Sequence, residues 1–189
     1  MRPEILQRVA DEGHVIFEHG AYNVNIIGQR TIGGNKNQFD DRLHLVFHNE
    51  AGEWQHMWFW CTTDPGTYWL ENPSRVSGTA ILVAGQYRGA YKIAKHRGLY
   101  DGLCQREGVV RIYRDSNRDD IIDAKIETEE EGYFGINIHK AGRDSTQVNR
   151  WSAGCTVVGS EIDWDVFISI VKKSADMYGN KFTYTLIEG

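Results

Sequence analysis

A histidine and a cysteine share one short segment of this chain, and together they have the chemistry of a nucleophile and its base. The stretch GINIHKAGRDSTQVNRWSAGC, residues 135–155, carries His139 near its start and Cys155 at its end, directly after Gly154. A thiol attacks a carbonyl as thiolate, and a nearby imidazole can take its proton and later return it to a leaving amine. The pair must converge from different elements. GINIH reads as a strand in which Asn137 and His139 share one face and Ile136 and Ile138 the other. Gly154 lets the backbone approach a substrate closely, and amides around Cys155 can hold an oxyanion. Against this, a free cysteine is among the most buried residue types and a single histidine is usually structural. Spacing alone leaves both readings open.

Other constellations are weighed in the same way. RDSNRDDIID places Asp115, Asn117, Asp119 and Asp123 at positions one, three, five and nine of a calcium-type loop. The sixth position is Asp120 where glycine is expected, and the twelfth is Ile126 where glutamate is expected, so a solvated turn competes with the calcium reading. His44 and His48 fall on one strand face with His56 nearby, but no HExxH is present and surface histidines fit the pattern better than zinc ligands. The run WQHMWFW reads as core before it reads as a sugar platform. Trp151, beside Ser152, suits the wall of a cleft. GQYRGAYKIAKHRGLY reads as a loop bordering a site, with Tyr87, His96 and Arg97 as candidate substrate contacts; a basic surface hairpin is the plainer alternative.

These residues need a frame. The chain has 189 residues, 41% apolar and 25% charged, enough to bury a core without disulfides. Its three cysteines, Cys61, Cys104 and Cys155, are odd in number and widely spaced, which fits neither a disulfide framework nor a zinc site. A net charge of −5 argues against nucleic acid, no apolar run is long enough to span a membrane, and MRPEILQRVADEG lacks the pattern of a secretory signal. The expectation is synthesis in the cytoplasm. Pro3 with EILQRVADEG reads as a short helix, with residues 1–20 as an N-terminal extension of a single domain covering 1–189. Strand patterns follow in YNVNIIGQR, RLHLVFHNE, WQHMWFWCTT, TAILVAG, GVVRIYRD, YFGINIHKA and KFTYTLIE. Asp64–Gly66 reads as a tight turn, TYWL as a resumed strand and ETEEEG as an acidic surface turn. Trp164, Phe167, Ile168, Val171, Ala175 and Tyr178 recur at helical spacing between a capping Ser160 and Gly179. The fold expected is mainly β (α+β), a β-sandwich or barrel with a long helix after Cys155.

A histidine at the end of a strand, followed by Ser152, Gly154 and Cys155 in SAGC, resembles the signature of the L,D-transpeptidase (YkuD-type) family. TTDPGTYWL is similar to that family's Thr-Pro-x-Gly-x-Phe/Tyr strand. The resemblance implies that Cys155 is the nucleophile and His139 its base. It further implies that the carbonyl of Lys140 or a neighbour orients the ring, and that the Gly154 and Cys155 amides form part of an oxyanion hole. The substrate implied is the stem peptide of bacterial peptidoglycan, attacked at its L,D bond to give an acyl-enzyme that passes to an amine or to water. Lys140 replaces a usual glycine, Ala153 a frequent histidine, and Thr156–Val158 the Ile-Arg-Met that carries the family's arginine. Arg143, Arg150, Arg97 or Lys140 are candidates to supply the missing charge. No cofactor is implied. A chain with no visible export signal fits delivery to the wall by another route, as an effector, phage enzyme or injection cargo, with delivery machinery or an immunity protein as partners. The alternative is a non-catalytic peptidoglycan-binding or structural module on the same scaffold.

Overall fold

The computed structural model describes residues 1–143 and 145–189. Its elements are α1 (Glu4–Asp11), β1 (Asn25–Arg30), β2 (Asp41–His48), β3 (Trp54–Thr62), α2 (Thr67–Glu71), β4 (Thr79–Leu82), β5 (Gly85–His96), β6 (Tyr100–Gln105), β7 (Val110–Asp115), β8 (Glu130–Gly132), β9 (Ile138–Lys140), β10 (Thr156–Val158), α3 (Glu161–Tyr178) and β11 (Phe182–Glu188). Eight strands close into a barrel in the order β1-β11-β5-β6-β9-β10-β3-β2, and β4, β7 and β8 form a separate small sheet. The chain is thus mainly β with few helices.

Closure follows from burial on alternating positions. Ile26, Leu43, Leu45, Phe59, Leu103, Ile138 and Tyr184 point inward into one core. That core also takes Trp164, Phe167, Ile168 and Val171 from α3, with Phe167 edge-on to Phe59 at 6.0 Å. Ser160 accepts a hydrogen bond from the Asp163 amide and caps α3. On the outside of the barrel, Ile27, Val46 and Ile187 are covered by Ile5, Leu6 and Val9 of α1. β1 runs parallel to β11 and antiparallel to β2, so the C-terminal strand closes the barrel against the first one.

Several sequence expectations are corrected. TYWL lies in the helix α2, where Leu70 is buried and the Trp69 indole donates to the Arg150 carbonyl at 3.1 Å. Tertiary contacts override the β-propensity of the aromatic pair. Asp64–Gly66 forms no tight turn: the chain bends at Asp64 and enters that helix through an extended Gly66, its N-cap at φ −72°. Gly66 packs so closely on the Asn149 carbonyl that a Cβ would collide with it. Residues 85–100 are not a loop but most of the β5–β6 hairpin, the plainer of the two readings of that segment. ETEEEG contributes a 3-10 turn and the edge strand β8, whose Glu130 pairs with Arg114. Tyr178 ends the α3 stripe exposed, its hydroxyl donating to the Ala21 carbonyl at 2.8 Å.

Candidate active site

The site is assembled on four adjacent barrel strands, β5, β6, β9 and β10. β9 pairs in parallel with β10 in the register Ile138 to Thr156 and His139 to Val157. Asn137 and Cys155 therefore come abreast one step earlier, and the Thr156 amide donates to the Asn137 carbonyl at 3.0 Å. Ile138 faces the barrel core, so Asn137, His139 and Cys155 share the outer face. On the other side of β9 lies β6, joined at Leu103 to Ile138, and beyond it β5. His96 of β5 and His139 of β9 are thus two strands apart. Their rings nevertheless stack, with centroids 4.0 Å apart and planes inclined by 21°. The strand between them carries Gly102 at that level. A Cβ there would lie 3.4 Å from the His96 Cβ and 3.8 Å from the His139 Cβ. The closest atom to such a Cβ is the Ile138 carbonyl oxygen at 3.2 Å, so glycine leaves the space over β6 to the two imidazoles.

His139 is buried, and its Nδ1 is committed. It donates to the Lys140 carbonyl at 2.9 Å, and the Tyr100 hydroxyl donates to the same carbonyl at 3.1 Å. That fixes the ring and leaves Nε2 as the basic nitrogen. Burial pushes the imidazole down to about 3, with the His96 charge acting the same way and the Lys140 carbonyl opposing it. His96 is held by the Asn137 side chain, whose Nδ2 donates to the imidazole Nδ1 at 3.3 Å and whose Oδ1 accepts the Gln105 main-chain N–H at 2.9 Å.

Cys155 is half-buried, with Sγ donating to the Gly135 carbonyl at 3.5 Å and accepting the Asn137 amide at 3.4 Å. Burial pushes the thiol up to about 11; the Asn137 amide and the Arg97 charge oppose it. Thiol and imidazole are therefore both neutral at rest; they line the same cleft, and the thiol's own hydrogen-bond partners are the Gly135 carbonyl and the Asn137 main-chain amide. Ser152 organises the turn before the thiol. Its hydroxyl donates to the Cys155 carbonyl at 2.8 Å and accepts the Gly154 amide at 3.1 Å, and its own carbonyl accepts the Gly66 amide at 2.9 Å. Gly154 has φ +114°, and a Cβ there would run into the Ala80 carbonyl. Its amide is already used by Ser152, so it is not a free oxyanion donor as the sequence had implied.

His139, Cys155, His96, Arg97 and Trp151 all line one cleft of about 250 Å³. Of the other expected contacts, Tyr87 lies in the barrel core with its hydroxyl donating to the Val83 carbonyl at 2.5 Å. The sequence places it as a substrate contact in a loop bordering the site, but the segment is a strand and its register on β5 turns Tyr87 inward. Arg150 stacks over Tyr68 at 3.8 Å, outside the cleft lining. The Lys140 ammonium pairs with Glu161, and Arg143 lies 3.7 Å from the same carboxylate. Sequence reasoning missed Arg75 and Arg114, which line the cleft from the loop after α2 and from the small sheet. Arg114 is held by Glu130 through two contacts, at 3.2 and 3.1 Å, and lies over Phe134 at 5.2 Å. Nothing in the local pattern of RIYRD marks that arginine, because its role arises from packing one sheet against another.

The remaining candidates lie elsewhere. His44, expected at the surface, is buried: it bonds His56 at 2.9 Å and Gln29 at 2.9 Å across β1, β2 and β3, and burial pushes it down to about 3. Cys61 and Cys104 are buried free thiols. Asp115, Asn117, Asp119 and Asp123 gather in the loop after β7, where the Asn117 side-chain amide donates to Asp119 at 3.0 Å and to Asp123 at 2.8 Å. Among the described residues no three carboxylates, imidazoles or thiols converge as a ready metal site, and no helix is long and apolar enough to cross a membrane. No protein-family model, curated protein or solved structure matches the chain.

Proposed function

We propose that the protein is a cysteine acyl-transfer enzyme of the L,D-transpeptidase type that acts on peptidoglycan stem peptides. The observation that carries this reading is the arrangement of His139 and Cys155 on one face of paired strands, in a cleft that also presents Arg75, Arg97 and Arg114. A stem peptide carries carboxylates; with Arg114 already paired to Glu130, the guanidinium groups of Arg75 and Arg97 concentrate positive potential in the cleft where such a substrate reacts. They stand in for the arginine missing after Cys155.

In this reading, Cys155 Sγ attacks the carbonyl carbon of the L,D bond while its proton passes to His139 Nε2. The Lys140 carbonyl holds Nδ1–H and stabilises the imidazolium that forms. Because the resting pair is neutral, proton transfer accompanies S–C bond formation rather than preceding it. The Cys155 amide is the backbone donor left to face the oxyanion, since the Gly154 amide serves Ser152. Collapse of the tetrahedral species breaks the C–N bond, and His139 returns the proton to the leaving amine. The thioester on Cys155 then passes to an acceptor amine, giving transfer, or to water, giving hydrolysis.

The test is release of the terminal D-amino acid from a tetrapeptide stem. Wild type releases it and Cys155→Ala does not. Release by both proteins, or by neither, contradicts the proposal; the latter result favours the alternative of a non-catalytic wall-binding module.

A further inference from the structure

Beside the base, the cleft holds a second imidazole. His96 is 7% exposed and lines the cleft with Cys155 and His139. Its tautomer is fixed from a distance by main-chain chemistry. The Gln105 main-chain N–H can only donate, so the atom it meets at 2.9 Å is the Asn137 side-chain oxygen. The other end of that amide is then the NH2 group, which reaches His96 Nδ1 at 3.3 Å. Nδ1 must accept, and the proton of the neutral ring sits on Nε2. Gln105 is itself held in place. Its side-chain oxygen accepts the Phe134, Gly135 and Ile136 amides, and its NH2 group donates to the Gly108 and Gly132 carbonyls. Burial, with the Arg97 charge acting the same way, lowers the pKa of His96 and favours the neutral ring. Its Nε2 has no hydrogen-bond partner among the described residues and is not closed off from solvent, so it opens on the cleft.

A developing oxyanion is stabilised best by donors fixed before the reaction begins. Around this cleft most such donors are committed. The Gly154 amide serves Ser152, and the Asn137 main-chain amide serves Cys155 Sγ. The Thr79 hydroxyl donates to the Trp69 carbonyl, and Arg114 is tied to Glu130 and to the Gly78 carbonyl. Ser74, Arg75, Arg97 and Trp151 are exposed and must be ordered on binding. His96 is left as the buried side chain with an N–H opening on the cleft. Asn137 also keeps it near the thiol. This one residue reaches Cys155 Sγ through its main-chain amide at 3.4 Å and His96 through its side chain.

Resting on the acyl-transfer reading of Cys155 and His139, we propose that His96 is a further catalytic residue whose Nε2–H donates to the oxygen of the scissile carbonyl, beside the Cys155 amide. The hydrogen bond strengthens as the S–C bond forms and the oxygen gains charge. It relaxes when the C–N bond breaks and the carbonyl returns. No proton leaves His96; His139 alone carries the proton from Sγ to the leaving amine. Neutral imidazoles polarise carbonyls in this way in other enzymes. The two stacked rings thus divide the work by tautomer. His139, protonated on Nδ1, offers a basic nitrogen, and His96, protonated on Nε2, offers a donor.

Long-range proton–nitrogen NMR of the wild-type imidazoles tests the tautomers without reference to activity. The expected spectrum has the proton on Nε2 of His96 and on Nδ1 of His139; a proton on Nδ1 of His96 overturns the proposal. In the tetrapeptide assay, His96→Phe keeps an aromatic face over His139 and loses the donor. Its kcat is expected to fall about 100-fold with KM within about twofold of wild type. A stem-peptide aldehyde, which forms a tetrahedral adduct on Cys155, is expected to bind the variant about 100-fold more weakly. If wild type releases the D-amino acid and the variant keeps its aldehyde affinity, the donor is overturned whatever its kcat, and the reading of Cys155 stands. No release by wild type, or equal release by Cys155→Ala, overturns both.

Discussion

At the scale of single residues, the most informative feature is the resting protonation of the cleft. His139 is held down to about 3 and Cys155 up to about 11, chiefly by burial in each case. An imidazole with so low a pKa stays neutral through the physiological range, and a thiol with so high a pKa stays protonated. Thiolate therefore forms only as pH climbs toward the folded value, and its fraction rises about tenfold per pH unit below it. Alkylation of Cys155, followed by mass spectrometry of its peptide, is expected to accelerate steadily from neutral to strongly alkaline pH with no plateau. A plateau beginning near neutrality would reveal a preformed thiolate–imidazolium pair and contradict the arrangement described. Fast labelling at low pH is thus the wrong signature for this cysteine. In the proposed reaction its proton leaves as the bound carbonyl is attacked.

At the scale of elements, the site depends on one strand having no side chain at one position. His96 and His139 come from β5 and β9, with β6 between them, and neighbouring strands lie about 4.8 Å apart. The two rings reach a centroid separation of 4.0 Å across two such spacings, over Gly102, where a side chain larger than a methyl would enter the space between them. Gly102→Val, a residue well suited to a strand, is expected to keep the barrel while separating the rings. Turnover falls on the order of 100-fold as the base loses its orientation, while circular dichroism stays unchanged. Unchanged turnover would show that the stack has no part in placing His139. This contact was not legible in the sequence, since nothing in YDGLC announces what lies on the strands either side of it. The same limit explains Arg114, Arg75 and Tyr100, which reach the site through strand order and sheet packing. What was legible is local: the GINIH alternation that turns Asn137 and His139 to one face, the Ser152–Gly154 turn before the thiol, and the capped periodicity of α3. TYWL misled because its β-propensity is intrinsic, whereas its helix is imposed by Gly66 and by the Trp69–Arg150 contact.

At the scale of the whole molecule, the barrel separates what stabilises it from what reacts. α1 lies against the outer face of β1, β2 and β11, where Leu6 is fully buried among Ile27, Val46 and Ile187. Cys155 lies on β10's approach, next to β9, at a different part of the wall. Leu6→Ala removes buried methyl groups and leaves a cavity, costing about 2–5 kcal/mol. The Tm should fall accordingly, while the Cys155 alkylation profile below the transition stays that of wild type. A changed profile would show that the extension and the cleft are coupled. The central claim concerns the whole molecule acting on a polymer, and digestion of purified sacculi tests it most directly. Muropeptides released after treatment with wild type and with Cys155→Ala are compared by mass spectrometry. The account predicts shortened stems, exchanged terminal residues or new links between third residues with wild type, and none with the variant. Identical muropeptide profiles for wild type, Cys155→Ala and untreated sacculi would contradict it.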